Sequence, residues 1–229
     1  MRLNEIAFPL AKQHNWLIFS IINPAVRQRL AKYAKGRMVD IGCGEKPYRD
    51  MAGSFVEIHI GVDHRASLHD NSNVDVVGDA YATTLDSGSC ETVLCTDVLE
   101  HLEDPALALG EANRLLKPGG YAIYTVPLFW HLHEEPRDFY RYTRYGLRFL
   151  FEKAGFELIE ISALTGFSVT FAQELVYFLY RFRKGGPINP LWWIVPPIGH
   201  MIQVAAYLLG KIDRSEMFTA EYIVVARKP

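Results

Sequence analysis

The sequence predicts an α/β fold built on a mostly parallel β-sheet. Short apolar runs that read as strands alternate with helical patterns between residues 37 and 126. This alternation indicates βαβ units and therefore parallel pairing. Glycine or aspartate follows three of the predicted strands, as expected at the carboxyl edge of such a sheet. At 229 residues the chain is long enough for one domain with a well-buried core.

The helices and strands of the first half follow from periodicity. Residues 1–35 predict an N-terminal helical cap, because apolar positions such as Leu17, Ile21 and Val26 recur among Lys and Arg. A helix at residues 105–116 begins with Pro105 and is closed by Lys117-Pro-Gly-Gly120. The five predicted strands are residues 37–40, 57–62, 74–77, 92–95 and 121–126.

The second half predicts one more helix and two more strands. Thr143 is a candidate N-cap for a helix that runs to Ala154 and ends at Gly155. The sixth and seventh strands are predicted at residues 157–163 and 221–226. With these elements the whole chain, residues 1–229, is predicted to be a single domain.

Residues 164–219 form an insertion that is far longer than an ordinary connection. Its two apolar stretches, residues 167–182 and 191–209, predict helices. Pro196, Pro197 and Gly199 predict that the second stretch is not one uninterrupted helix. We expect residues 165–210 to form a homodimer interface or an active-site lid. The alternative is a hairpin in the membrane interface, with Arg181-Phe-Arg-Lys184 near lipid headgroups.

Charge and cysteine content exclude some classes of protein. A formal net charge of −2 gives no basic excess for nucleic-acid binding. Cys43, Cys90 and Cys95 form no CxxC pair, which fits a reducing cytoplasm. The apolar run at residues 16–22 is short and lacks a cleavage site, so it does not predict a signal peptide. We therefore expect a cytoplasmic protein.

Three successive strand ends carry residues suited to a nucleotide-like ligand. Val39-Asp-Ile-Gly-Cys-Gly44 runs a strand into two glycines, which let a backbone turn approach a ligand closely. Asp63 ends the next strand, where its carboxylate can accept both hydrogen bonds of a ribose diol. Asp79 ends the third strand, where it can accept from the exocyclic amine of adenine. Each aspartate alone would suit a turn, but the three features together predict a nucleotide site.

These motifs resemble those of class I S-adenosylmethionine (SAM)-dependent methyltransferases, in the group related to ubiquinone and menaquinone methyltransferases. The resemblance is strong over residues 36–126 and looser up to residue 163. Its remaining motifs are Gly61-Val-Asp63, Gly78-Asp79-Ala80, Cys95-Thr-Asp-Val-Leu-Glu-His-Leu102 and Leu115-Leu-Lys-Pro-Gly-Gly120.

The resemblance implies a Rossmann-like seven-stranded sheet flanked by helices. The implied strand order is 3-2-1-4-5-7-6, with an antiparallel last strand and the helical apolar insertion between strands 6 and 7. It also implies SAM as the cofactor. The implied cofactor-binding residues are Asp40, Gly42, Cys43, Gly44, Asp63, Asp79, Ala80 and Thr96.

One departure concerns the first loop, where many family members carry a third glycine and this chain has Glu45-Lys46-Pro47-Tyr48. Pro47 stiffens the exit of the loop. A nicotinamide dehydrogenase is the main competitor, since Asp63 lies about 20 residues beyond the glycines. That function would leave Asp79 and the late strand without a role.

The segment after the fifth strand, residues 127–144, concentrates polar side chains where a methyl acceptor must enter. We hypothesise that His133 or His131 is a general base and that Arg137 and Arg141 orient the acceptor. The predicted catalytic set is His133, His131 and Asp138. The predicted acceptor-binding set is Arg137, Arg141 and Tyr140. In the alternative hypothesis, Arg137, Asp138 and Arg141 form an ion-paired loop.

Two neighbouring features receive other interpretations. Asp97 and His101 would share a face if a helix began there, but we favour packing and loop anchoring for Glu100 and His101. The His-x-His-Glu pattern at residues 131–134 matches no common metal site closely, so no metal is expected.

The function predicted from the sequence is SAM-dependent methylation, at oxygen, of a small-molecule or lipid- or glycan-linked acceptor. A nucleic-acid acceptor is not expected, because no Asn/Asp-Pro-Pro-Tyr-type motif follows strand four. The alternative is a non-catalytic SAM-binding or scaffold protein that docks a partner or membrane through its apolar insertion.

Overall fold

The computed structural model describes residues 14–65, 70–213 and 215–229, apart from the side chain of residue 71. Residues 1–13 of the predicted N-terminal cap therefore lie outside the described part. The helices are α1 (Trp16–Tyr33), α2 (Arg49–Ala52), α3 (Pro105–Leu115), α4 (Arg144–Lys153), α5 (Phe167–Tyr180) and α6 (Leu191–Gly210). The strands are β1 (Arg37–Ile41), β2 (Ile58–Asp63), β3 (Val76–Val77), β4 (Cys90–Thr96), β5 (Leu116–Pro127), β6 (Glu157–Ala163) and β7 (Glu221–Arg227).

The seven strands form one sheet in the order β3-β2-β1-β4-β5-β7-β6. Strands β3, β2, β1, β4 and β5 pair in parallel, and β7 pairs antiparallel with β5. This confirms the predicted order and the antiparallel last strand. The central strands are fully buried at Val39, Val93, Leu94 and Ile123. Apolar runs without alternation are typical of strands covered on both faces.

Side-chain caps set the helix boundaries near the sheet. Asp104 accepts a hydrogen bond from the backbone N–H of Leu107 and places Pro105 in the first turn of α3. Thr143 accepts from the N–H of Gly146, which confirms the predicted N-cap of α4.

Helix α3 ends before Lys117-Pro-Gly-Gly120, as predicted, but the predicted start of the fifth strand at Tyr121 is wrong, because β5 begins at Leu116 and includes these residues. Leu116 pairs with Cys90 of β4, and the N–H of Gly119 donates to the carbonyl of Lys228 at 2.8 Å. Backbone partners on both sides draw the segment into the sheet. Local glycine and proline content alone therefore misplaced the start of the strand.

The chain divides into two compact units. The sheet unit contains residues 25–162 and 221–229, and the helical unit contains residues 1–24 and 163–220. The single-domain organisation expected from the sequence stays a prediction.

In the helical unit, α5 and α6 run antiparallel along a seam of small residues. A Cβ added to Gly199 would lie 3.0 Å from Cε2 of Tyr180, and one added to Gly210 would lie 2.6 Å from Cγ2 of Val169. Glycine therefore permits this close approach. Leu17 of α1 packs with Val169 and Ala206, and its N–H donates to Oε1 of Gln203 at 2.9 Å.

The predicted interruption of the second apolar stretch is wrong, because α6 is one helix of 20 residues. Pro196 and Pro197 lack the N–H groups that would bond to the carbonyls of residues 192 and 193. Val195 and Gly199, which flank the prolines, are buried, so packing holds the helix on both sides of the two missing bonds. Among the described helices, α6 is the one long and apolar enough to cross a membrane, and 22% of its apolar stretch is buried.

Candidate functional site

A cavity of about 260 Å³ opens in the sheet unit at the carboxyl ends of β1 and β2. Parallel strands end at this edge, and the turns that follow them form the walls. Predicted residues in the lining are Gly42, Asp63, Asp79, Ala80 and Arg137, and it also includes Tyr81, Val98 and His101. The structure thus brings four of the eight predicted cofactor-binding residues together with Arg137 and Phe139 of the predicted acceptor segment.

The backbone at Gly42 lies so close to Val98 that it leaves no space for a side chain. Gly42 has a φ of 70°, and a Cβ added there would lie 2.3 Å from Cγ2 of Val98. The N–H of Gly44 donates to Oδ2 of Asp63 at 2.6 Å. Gly42 therefore shapes the wall of the cavity, and Gly44 connects the loop to the end of β2.

Substitution of Gly42 by alanine is expected to reduce SAM binding more than global stability. The added methyl group forces Val98 aside, and the left-handed backbone conformation costs about 1 kcal/mol. Calorimetric titration of SAM into G42A and into G88A measures the effect. Gly88 also has a positive φ of 63° but has no neighbouring atoms within 4 Å of an added Cβ. Equal SAM affinity in the two variants would contradict a role for the loop in the site.

The two strand-end aspartates present oxygen acceptors to the cavity. In Asp63, Oδ2 accepts from Gly44, and Oδ1 accepts from the N–H of His64 at 2.6 Å. In Asp79, Oδ1 accepts from the N–H of Tyr81 at 3.0 Å. Backbone donors thus fix both carboxylates, and each oxygen has a second lone pair for a ligand.

The other four predicted cofactor residues, Asp40, Cys43, Gly44 and Thr96, do not line the cavity. Asp40 is 2% exposed and lies 2.9 Å from Nε2 of His59, and its burial raises the pKa of the carboxyl. Burial also raises the pKa of the Cys43 thiol to about 12, so it remains protonated. The side chains of Asp40 and Cys43 are therefore buried beside the glycine loop and do not face the cavity.

Lys46 lies in the Glu45-Lys46-Pro47-Tyr48 exit of the glycine loop, and sequence reasoning gave it no role. It adopts a φ of 54°, a left-handed conformation that favours glycine. Its ammonium group pairs with Asp75, and its side chain crosses Gly61, where an added Cβ would lie 2.2 Å from Cε of Lys46. The loop thus keeps a glycine-like backbone conformation, which the ion pair helps to hold.

The segment after β4 forms a 3₁₀ turn at Leu99–His101, so Asp97 and His101 do not share an α-helical face. Asp97 is exposed and has a φ of 53°. Its Oδ1 accepts from Oγ1 of Thr125 at 3.1 Å. Asp97 therefore places a carboxyl group at the carboxyl end of β4, and burial of that group raises its pKa.

Two buried carboxyl groups lie near Asp97. Glu100 is 0% exposed, and its carboxyl oxygens have no hydrogen-bond partner among the described residues. Burial, together with the nearby Asp97, raises the pKa of Glu100 well above its usual range. Burial and Asp97 likewise raise the pKa of Glu221. Glu221 was missed because it lies on β7, and only the sheet topology brings it to this site.

The segment at residues 127–144 is hydrogen-bonded to the 3₁₀ turn and the residues that follow it. The hydroxyl of Tyr142 donates to the carbonyl of Leu99 at 2.9 Å, and that of Tyr140 donates to the carbonyl of Glu103 at 3.0 Å. The imidazole Nδ1 of His101 lies 2.6 Å from the carbonyl of Arg137. His101 thereby anchors this segment at the edge of the cavity.

Asp138 and Arg141 form a bidentate ion pair within the segment. The two oxygen–nitrogen distances are 2.6 and 2.8 Å. The guanidinium also donates to the carbonyls of Trp130 and His131. This Arg141 guanidinium holds the pKa of Asp138 well below its usual range. The geometry matches the ion-paired loop for Asp138 and Arg141, whereas Arg137 lines the cavity.

The ion pair also fixes His133. The backbone N–H of His133 donates to Oδ2 of Asp138 at 2.9 Å. Its Nδ1 lies 3.3 Å from the carbonyl of His131 and 3.4 Å from Oδ2 of Asp138. Nη2 of Arg141, a donor, lies farther from Nδ1, at 3.5 Å. The two nearer neighbours are acceptors and favour a proton on Nδ1 and a lone pair on Nε2. Burial and the nearby His101 lower the pKa of His133, so the ring is neutral near pH 7.

Three further residues, His131, Glu100 and His101, lie near His133. The His131 ring stacks on Trp130 with centroids 5.4 Å apart and lies 6.3 Å from the His133 ring. Glu100, His101 and His133 each place one potential metal-ligand atom within 4.8 Å of the others. This grouping differs from the His-x-His-Glu pattern weighed from the sequence.

The comparisons with known proteins agree with this geometry. Residues 39–124 match the family model described as a methyltransferase domain. These residues carry the glycine loop, both strand-end aspartates and the turn after β4. The chain contains a class I methyltransferase domain.

Two curated relatives of this methyltransferase domain differ in their named reactions. A ubiquinone biosynthesis O-methyltransferase of Burkholderia vietnamiensis is 31% identical over 108 residues, covering 42% of this chain and 46% of that protein. A demethylmenaquinone methyltransferase of Staphylococcus carnosus is 27% identical over 126 residues, covering 42% of this chain and 52% of that protein. The chain spans about half the length of these two relatives.

The solved structures support the fold. A SAM-dependent methyltransferase from Mesorhizobium loti superposes with a TM-score of 0.57 at 15% identity, over 92% of this chain and 99% of that one. This similarity and the observed strand order confirm the predicted Rossmann-like fold.

Proposed function

We propose that the protein transfers a methyl group from SAM to an oxygen of a small-molecule or lipid- or glycan-linked acceptor in the cytoplasm. The observation that carries the proposal is the cavity that Gly42, Asp63 and Asp79 line together with Arg137. The residues that we propose to bind the nucleotide therefore lie beside Arg137, in the segment that holds His133. We further propose that both units act as one methyltransferase domain.

The residues present fit SAM. The Asp63 carboxylate accepts the hydrogen bonds of the ribose diol, and Asp79 with the backbone of Ala80 receives the adenine. Gly42 lines the cavity beside Val98, and a Cβ there would lie 2.3 Å from Cγ2 of Val98. When bound, SAM supplies an electrophilic methyl group on its sulfonium. Asp40, Cys43, Gly44 and Thr96 contribute by holding the loop and the strand ends in place.

The residues of the chain supply the acceptor side of the reaction. His133 takes the proton of the acceptor hydroxyl on Nε2, because the two neighbours nearest to Nδ1 are acceptors. Asp138 and Arg141 position His133 through the ion pair. Arg137 orients the acceptor at the cavity. His131, through its carbonyl, and Tyr140, through its hydroxyl, hold the segment in place. The named reaction of the Burkholderia relative, an O-methylation, supports an oxygen acceptor.

Measured production of S-adenosylhomocysteine tests this proposal. We expect turnover with at least one hydroxylated acceptor in a panel of polyprenylated catechols and glycolipids. The Arg137→Ala variant is expected to raise KM for that acceptor more than it lowers kcat. SAM binding without turnover on any acceptor in the panel would contradict catalysis and support the scaffold alternative.

A further inference from the structure

Helix α5 exposes an apolar stripe on the side away from its seam with α6. The inner side of α5 carries Val169, Gln173 and Val176, which are buried. The stripe repeats at intervals of three and four residues, which places its members on the opposite side. It consists of Phe167, Phe171, Leu175 and Phe178 and continues at Phe182 in the 3₁₀ turn after the helix, each at least 41% exposed.

Helix α6 exposes a second stripe. Its buried positions are Val195, Gly199, Gln203 and Ala206, and its 20 residues include no Asp, Glu, Lys or Arg. The exposed apolar positions again recur every three or four residues. They include Ile194, Ile198, Met201 and Leu208, exposed by 48, 39, 63 and 57%. Apolar exposure of this extent in a soluble protein marks an interaction surface.

The charges of the α5–α6 hairpin, residues 167–210, indicate the chemistry of the partner. Between Glu174 and Asp213 the sequence contains no acidic residue and four basic ones, Arg181, Arg183, Lys184 and Lys211. Three of them lie in the connection between α5 and α6. Arg181 and Lys184 are exposed, and Arg183 lies 4.2 Å from the ring centroid of Trp192. Cations beside aromatic rings at the end of apolar helices are typical of contact with lipid headgroups.

A second copy of the chain is a poorer match. In a dimer that pairs this segment with its own copy, the segment of the other chain offers no acidic residue to Arg181, Arg183 and Lys184. An anionic bilayer complements both the charges and the apolar stripes, because phospholipids present phosphate above hydrocarbon.

We propose that the α5–α6 hairpin docks the protein on the surface of an anionic lipid bilayer. The connection at residues 181–190 contacts the headgroups, and the exposed stripes enter the acyl boundary. This peripheral contact is independent of the proposed methyl transfer.

Flotation of the full chain with vesicles tests the docking. We expect the protein to float with vesicles that contain phosphatidylcholine and phosphatidylglycerol, and to float less with phosphatidylcholine alone or at high salt. Replacing Arg181 and Lys184 by Gln is expected to weaken partitioning about thirtyfold. Replacing Met201 and Leu208 by Gln is expected to abolish it.

Leu107→Gln is the matched control, because Leu107 is an exposed leucine, 59% accessible, on α3 of the sheet unit. Thermal unfolding of each variant confirms that it is folded, and light scattering after gel filtration gives the oligomeric state. Wild-type protein that stays unbound with anionic vesicles at low salt would overturn the proposal. A dimer that dissociates in the Met201 and Leu208 variant, without vesicle binding by the wild type, would assign the face to a second copy.

Discussion

The Asp63→Ala variant is expected to bind SAM about 10–100-fold more weakly than the wild type. The substitution removes the acceptor proposed for the ribose diol. It also removes the partner of Gly44, so the glycine loop loses its link to the end of β2. Calorimetric titration of SAM and of S-adenosylhomocysteine into wild type and variant measures the change.

Asp70→Ala is the matched control for this measurement. Asp70 also accepts a backbone hydrogen bond, from the N–H of Ser72 at 2.9 Å, but it does not line the cavity. We expect wild-type affinity in this variant. Unchanged affinity in Asp63→Ala, with a normal unfolding transition, would show that the cofactor does not contact this strand end.

The His133→Ala variant is expected to lower kcat about 10²–10⁴-fold while SAM affinity stays within about twofold of the wild type. Loss of the general base affects proton removal from the acceptor, whereas the nucleotide-binding residues are untouched. The rate of S-adenosylhomocysteine formation, measured with the acceptor found in the panel, tests this. Normal turnover in a folded variant would rule out His133 as the base.

The pH profile separates a base from a packing role. Because burial and His101 lower the pKa of His133, the ring loses a proton below its ordinary value of about 6.5. Activity should therefore be full at pH 7 and decline only as the pH falls below about 6.5. The His133→Ala variant should lack this acidic decline. Chelation of metal ions by EDTA should leave wild-type turnover unchanged, since His133 can act as a base without a metal ion bound to Glu100, His101 and His133.

The elements near the nucleotide site could be predicted well because local rules and tertiary context agree there. The strand ends at Asp63 and Asp79 carry turn-forming side chains, and Thr143 and Asp104 supply side-chain caps. Each of these signals lies within a few residues of the structure that it determines.

Other features depended on contacts between distant parts of the chain. The start of β5 follows from pairing with Cys90, and the continuity of α6 follows from packing around Val195 and Gly199. Glu221 reaches Asp97 only through the sheet order. The tautomer of His133 depends on where the His131 carbonyl and the Asp138 carboxylate lie relative to its ring, and the sequence alone does not show this.

Titration of SAM into the purified wild-type protein tests the central claim most directly. We predict saturable binding of one SAM per chain, with S-adenosylhomocysteine competing for the same site. Absence of binding by protein with a cooperative unfolding transition would contradict the assignment of the cavity at Gly42, Asp63 and Asp79 as a cofactor site.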